Sequence, residues 1–137
     1  MYSHVTVGTN AIAAAERFYD AVMGVLGHPA LFKTARALAY GRLSGEKYFI
    51  LHPFDGRPAA AGNGPHAAFR VEDRLIVDHF HRTALAHGGT DAGPPGLRPH
   101  YHLNYYAAYV RDPDGNKLQA VCHRAASAPV EGRRDAH

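Results

Sequence analysis

At 137 residues, with 46% hydrophobic and 20% charged side chains, the chain has the composition of one globular domain and enough apolar content for a core. The formal charge is only +3, part of it from Arg124, Arg133 and Arg134, and no stripe of Lys and Arg interleaved with aromatics occurs elsewhere, which argues against nucleic-acid binding. No apolar run approaches the roughly 18 residues of a membrane span, MYSHVTVG is not a secretion signal, and Cys122 has no partner for a disulfide, so a cytoplasmic location is expected.

Tyr2 to Gly8 alternates, with Ser3, Val5 and Val7 on one face and Tyr2, His4 and Thr6 on the other, the period of a half-buried strand. From Ala11 to Leu26 the residues Ile12, Ala15, Tyr19, Val22, Met23 and Leu26 recur at helical spacing, with Asn10 placed to cap the start and Gly27 to end it. Strand-forming stretches follow at 31–33, 35–43 and 47–52, and then Pro53 to Pro65, rich in Gly, Pro and Ala, breaks the pattern as a loop. The segment HAAFRV, 66–71, alternates again, and a helix is predicted from Asp73 to His87, stopped by Gly88 and Gly89, with Phe80 and Leu85 as core candidates. His28, His79, His81 and His87 are read as surface residues. A strand over Asn104 to Arg111 and another over Lys117 to His123 flank DPDGN, where Pro presets a turn and Gly is free to take positive φ. From 124 to 137 almost no large apolar residue occurs, and a disordered tail is expected.

The two halves repeat. An offset of 62 residues brings His4 onto His66, Val7 onto Phe69, Phe18 onto Phe80, Met23 onto Leu85 and Gly27 onto Gly89. The expected fold is therefore α+β: two βαβββ modules, about 1–53 and 64–123, forming one curved mixed sheet shaped as a cup, with the helices on its outer face, in a single domain over 1–123.

On each strand one face is apolar and takes the helices. In the last strand Leu118, Ala120 and Cys122 fall on that face, where Cys122 serves as a small hydrophobe. The opposite faces carry His4, His66 and Gln119. If the modules are related by a pseudo-twofold, His4 and His66 converge near its axis and Gln119 joins them; two imidazoles and an oxygen suit Fe, Ni, Zn, Co or Mn. The alternative is that such strand histidines are satisfied cavity or surface residues. His100, Tyr101 and His102, with Tyr106, form a cluster before the last hairpin, in which Tyr101 and His102 are candidate proton-transfer groups and His100 and Tyr106 candidate substrate contacts. His52 reaches the cavity or its rim from the first module.

The strand His4, the helix AERFYDAVMGVLG, the repeated His66 and the closing DPDGNKLQAV resemble the vicinal oxygen chelate superfamily, which contains glyoxalase I, extradiol dioxygenases and the metal-free bleomycin-binding proteins. The resemblance covers Tyr2 to His123, and RPHYHLNYYAAYVRDPDGNK is similar to a glyoxalase-like subgroup. It implies metal ligands at His4, His66 and Gln119. The superfamily's final-strand ligand is usually Glu, and the fourth glyoxalase ligand falls on Phe49 or Ile50, neither of which binds metal.

Two functions follow from the resemblance. One is a metal-dependent lyase, isomerase or dioxygenase acting on a small substrate with adjacent oxygens. The other is a metal-free protein that binds or sequesters a small molecule. Both are expected to be homodimers, since dimerisation commonly completes the superfamily's cups.

Overall fold

The computed structural model describes residues 1–126, so most of the expected tail lies outside the described residues. Strand β1 (His4–Gly8) leads into helix α1 (Ile12–Leu26), followed by β2 (Ala30–Lys33), β3 (Ala37–Gly41) and β4 (Lys47–Leu51). The second half repeats this order with β5 (His66–Val71), α2 (Arg74–Ala86), β6 (Thr90–Leu97), β7 (Tyr106–Arg111) and β8 (Lys117–Cys122). The fold is α+β, built of two βαβββ modules. Each module has its own four-stranded mixed sheet, in the orders β1-β4-β3-β2 and β5-β8-β7-β6. In each, the first and last strands pair in parallel and the remaining pairs are antiparallel.

Helix α1 buries Ala15, Phe18, Tyr19, Val22 and Met23, a stripe at i, i+3, i+4, i+7 and i+8. They pack on Leu38, Tyr40, Tyr48 and Ile50 of the first sheet, and the same core continues through Val77, Phe80 and Ala84 of α2 into Val110, Leu118, Ala120 and Cys122. Each large apolar side chain buried in this way stabilises the fold by about 1.5–3 kcal/mol. The helices pack against one another, and Tyr48 of the first sheet meets Phe69 of the second at 5.2 Å between ring centroids. One core is thus shared by both modules. The faces of the sheets turned away from it, the open faces, carry His4 on β1 and His66 on β5.

Several elements depart from the sequence expectation. Asn10 does not cap α1. The N-cap is Ala11, whose N–H is taken by Thr9 Oγ1 at 3.1 Å, while Asn10 Oδ1 accepts from Ala59 N at 2.7 Å and pins the 53–65 loop. Gly27 does end the helix, at φ 83°. Leu85 is 42% exposed, and Ala84 takes the core position beside it. Strand β6, TDAGPPGL, reads as a loop because Gly and Pro dominate it. It forms on the sheet edge, where Pro94 and Pro95 are tolerated, and its register with β7 shifts at Asp91/Gly93 and Gly93/Gly96.

The DPDGN turn fastens the second module to the first. Asp114 accepts from Thr9 Oγ1 at 2.5 Å and from Asn10 N at 2.8 Å, and Asn116 Nδ2 donates to Gly8 O at 2.9 Å. Within the turn the carboxylate of Asp112 takes Asp114 N and Asn116 N, each at 2.9 Å. It also accepts from the Tyr19 hydroxyl of α1 at 2.6 Å.

Candidate small-molecule site

Alternation in β8 sends Leu118, Ala120 and Cys122 to the helices and leaves Gln119 on the open face, yet Gln119 is only 1% exposed. A buried amide is tolerated only when its donors and acceptors are used. Here they are: Gln119 Oε1 lies 3.1 Å from His66 Nε2, and Gln119 Nε2 donates to the hydroxyl of Tyr105. A carbonyl oxygen can only accept, so His66 carries its hydrogen on Nε2 in this contact, and in the neutral ring Nδ1 is left as an acceptor. Tyr109, opposite Gln119 in the β7–β8 register, meets the His66 ring edge-on at 5.8 Å.

The loop between β6 and β7 folds over this face. Arg98 N donates to Tyr105 O at 2.7 Å and Tyr105 N to His102 O at 3.2 Å, so the loop closes on itself and turns Tyr105 toward Gln119. Tyr101 packs on Tyr105 at 4.8 Å, and His100 on Tyr101 at 4.2 Å. His102 Nδ1 accepts from Asn104 N, so Nε2 carries the hydrogen that reaches His123 Nδ1 at 2.9 Å. His66, Gln119, Tyr101 and His102 therefore fall in one neighbourhood, joined through Tyr105.

Three other candidates lie apart. Tyr106 is on the helix side of β7 with Ala108 and Val110; its hydroxyl donates to Asp78 of α2 at 2.5 Å, and burial followed by that carboxylate pushes the phenol up to about 12. Tyr105 is the aromatic that reaches the open face, and the signal for it was the same alternation: Tyr105, Ala107 and Tyr109 against Tyr106, Ala108 and Val110. His52 Nδ1 bonds Thr9 O at 3.2 Å and lines a cleft of about 360 Å³ with Asn10, Arg36 and Arg57, at the ends of β1 and β4. A second cleft, of about 350 Å³, continues the open face of the first sheet past Thr6, Gly8 and Leu51.

His4 lies on the open face of the first sheet. Its Nδ1 is 2.8 Å from Ser3 Oγ and its ring meets Phe49 edge-on at 5.2 Å, so both contacts that position it belong to the first module. Phe49 thus occupies the place beside His4. Among the described residues no three His, Cys, Asp or Glu side chains come together as a metal-binding group.

The profile of the Glyoxalase/Bleomycin resistance protein/Dioxygenase superfamily matches residues 2–120. The chain belongs to this superfamily. A glyoxalase/bleomycin resistance protein from Albidiferax ferrireducens T118 is 38% identical, with a TM-score of 0.81 over 91% of this chain and 99% of that one. A glyoxalase-related enzyme from Fulvimarina pelagi, 22% identical, has a TM-score of 0.71 over 89% and 87% of the two chains. A lactoylglutathione lyase from Agrobacterium tumefaciens, 18% identical, has one of 0.61 over 88% and 92%; likeness at these lower identities shows the fold alone. No curated protein matches. The resemblance to the superfamily calls for carboxylates at 119 and at 49 or 50; the chain has Gln119 at the first, and of the other two Phe49 is on the open face and Ile50 in the core.

Proposed function

We propose that the protein binds, and transfers a proton on, a small organic molecule with adjacent oxygens, in a cup formed by two copies of the chain. The open face of the first sheet of one copy closes on the open face of the second sheet of the other, so that His4 of one joins His66 and Gln119 of its partner. The hydrogen-bonded chain His66–Gln119–Tyr105 carries this reading. Tyr105 accepts from Gln119, which leaves its own hydroxyl hydrogen for a ligand oxygen, and His66 Nδ1 is left to accept a proton. Tyr101 and His102 stand next to Tyr105 as further proton-transfer groups, with His100 behind Tyr101. The pairing of two copies is supported by the equivalent places of His4 and His66 and by Phe32, which shares the open face of the first sheet with Phe49 and is 46% exposed.

Many members of the superfamily depend on a metal. The residues of one chain do not fit a divalent ion: the Gln119 carbonyl is neutral and already bonded to His66, and Phe49 fills the place beside His4. In the paired cup His4, His66 and Gln119 would be the donors, a set without negative charge. The organic ligand is therefore the better supported occupant, and a metal-dependent lyase or dioxygenase is the second reading.

Complementation between variants tests the cup. His4→Ala and His66→Ala each abolish ligand-induced stabilisation by catechol, and mixing the two by unfolding and refolding restores about a quarter of the sites, because about half of the pairs are mixed and one cup of each mixed pair keeps both histidines. No recovery on mixing, or a monomeric mass by light scattering, overturns the paired cup. Stabilisation that a chelator removes, together with metal in untagged protein that His4→Ala lacks, would favour the second reading.

A further inference from the structure

The charges of this protein are sorted by face. On the paired strand positions that share the open faces with His4 and His66, by register, there is no Asp or Glu, while Lys47, Arg70, Arg111 and Lys117 all lie there. The acids are on the helix side or in turns: Asp20 takes Tyr40 and Lys33, Asp78 takes Tyr106, Asp91 takes His81, and Asp112 and Asp114 tie the DPDGN turn. Asp55 borders the cleft at the far end of the first open face and is engaged with Arg57 N. A solvated surface of mixed sign would not segregate in this way.

One of these cations, Lys117, and a further one on the β6–β7 loop, Arg98, are aimed at the site. Lys117 Nζ lies 4.9 Å from the centroid of the Tyr109 ring and Arg98 Cζ 5.7 Å, on the ring whose neighbour is His66. Arg98 is held by its Nη1 to Gly96 O at 2.9 Å and its Nη2 to Pro94 O at 2.8 Å, which fixes the guanidinium and leaves further N–H groups unused. No carboxylate pairs with either cation among the described residues. Beside them Tyr101 and Tyr105 offer aromatic surface, and Tyr101 is 59% exposed. Fixed cations without counter-charges next to a tyrosine wall suit a planar anion: the rings pack, and the charge-assisted hydrogen bonds select its carboxylate.

We infer that the ligand of the cup is an aryl carboxylate, its carboxylate held by Arg98 and Lys117 and its ring against Tyr101 and Tyr105. The inference rests on the small-molecule cup proposed above and narrows it to a chemical class.

The probes are salicylate, catechol and benzylamine, alike in size and differing in charge, titrated by calorimetry and by the ring resonances of His66. Salicylate binds at least about tenfold more tightly than catechol, and benzylamine least of all. Arg98→Gln and Lys117→Gln each weaken salicylate by about tenfold and leave catechol within about twofold, while Lys117→Arg keeps most of the salicylate affinity. Equal affinity for the three probes, or Gln variants that bind salicylate as well as the parent, overturns the anion. If catechol moves His66 but salicylate has no advantage, the cup stands and the anion class falls. If no probe moves His66, both fall.

Discussion

Gln119 holds His66: its Oε1 is 3.1 Å from His66 Nε2, and the other end of the same amide holds Tyr105. One buried side chain thereby ties β8 to β5 and to the loop that closes over them. Gln119→Leu removes both bonds, a cost of about 0.5–1.5 kcal/mol for each that urea denaturation measures, because His66 is exposed and Tyr105 half-buried. Gln119→Glu places a carboxylate against the His66 N–H. That supplies the negative charge the donor set lacks, so affinity for Ni or Zn, measured by calorimetry, rises relative to the parent. An unchanged metal affinity would mean that residue 119 and His66 do not act on one ion.

The two adjacent tyrosines separate site from scaffold. Tyr105→Phe deletes the hydroxyl that Gln119 donates to, so it weakens catechol binding by about tenfold and, by leaving an N–H of the buried amide without its partner, also lowers stability by about 1–3 kcal/mol. Tyr106→Phe deletes the bond to Asp78 on the helix side, so it lowers stability by about 1 kcal/mol and leaves catechol binding alone. The reverse pattern would put the ligand on the wrong face of β7.

The modules were legible in the sequence because alternation and helical spacing are strong where one face is buried. HAAFRV is β5 from end to end, and Phe18 and Phe80, equivalent in the repeat, are both fully buried. Strand β6 was not legible, since its pairing depends on an edge position that only the assembled sheet supplies. Alternation and the repeat put Gln119 and His66 on one open face, where they lie 3.1 Å apart, whereas placing Tyr105 beside them required the same count to be carried into the loop before β7. The placing of His4 on a separate sheet was out of reach for a related reason. Periodicity assigns a residue to a face, but which face meets which is decided by how α1 and α2 pack.

Gly89 marks that packing. A Cβ there would stand 2.6 Å from Phe18 Cε1, 2.8 Å from Ala84 O and 2.9 Å from Arg111 O, two of them backbone atoms that do not yield easily. Gly89→Ala therefore destabilises the fold by about 1–3 kcal/mol in urea. Gly24, inside α1, has nothing within 4 Å of its Cβ position, and Gly24→Ala gains about 0.5–1 kcal/mol from helix propensity. A neutral result at Gly89 would show that the turn after α2 can shift away from α1.

The last prediction concerns Asp112, 3% exposed and bonded to Tyr19 at 2.6 Å. Burial raises its carboxyl above the ordinary aspartate value, and the donors from Tyr19 and Asn116 only partly oppose this. Because the folded chain holds this proton to higher pH than the unfolded chain, the group's contribution to stability is complete below the ordinary value and is lost as pH rises through the folded one. Asp112→Asn cannot ionise, so melting temperatures taken from about pH 3 to about pH 6 should shift in favour of the Asn variant as pH rises. Asp91 is the control of opposite sign. The His81 ring and the Gly93 N–H hold its carboxyl below the ordinary range, so its contribution is present above that range and lost as pH falls. For Asp91→Asn the parent should therefore gain ground as pH rises. Equal slopes for the two variants would show that burial does not set the Asp112 carboxyl, and that the Tyr19 bond between the modules is made with an ordinary, freely ionised aspartate.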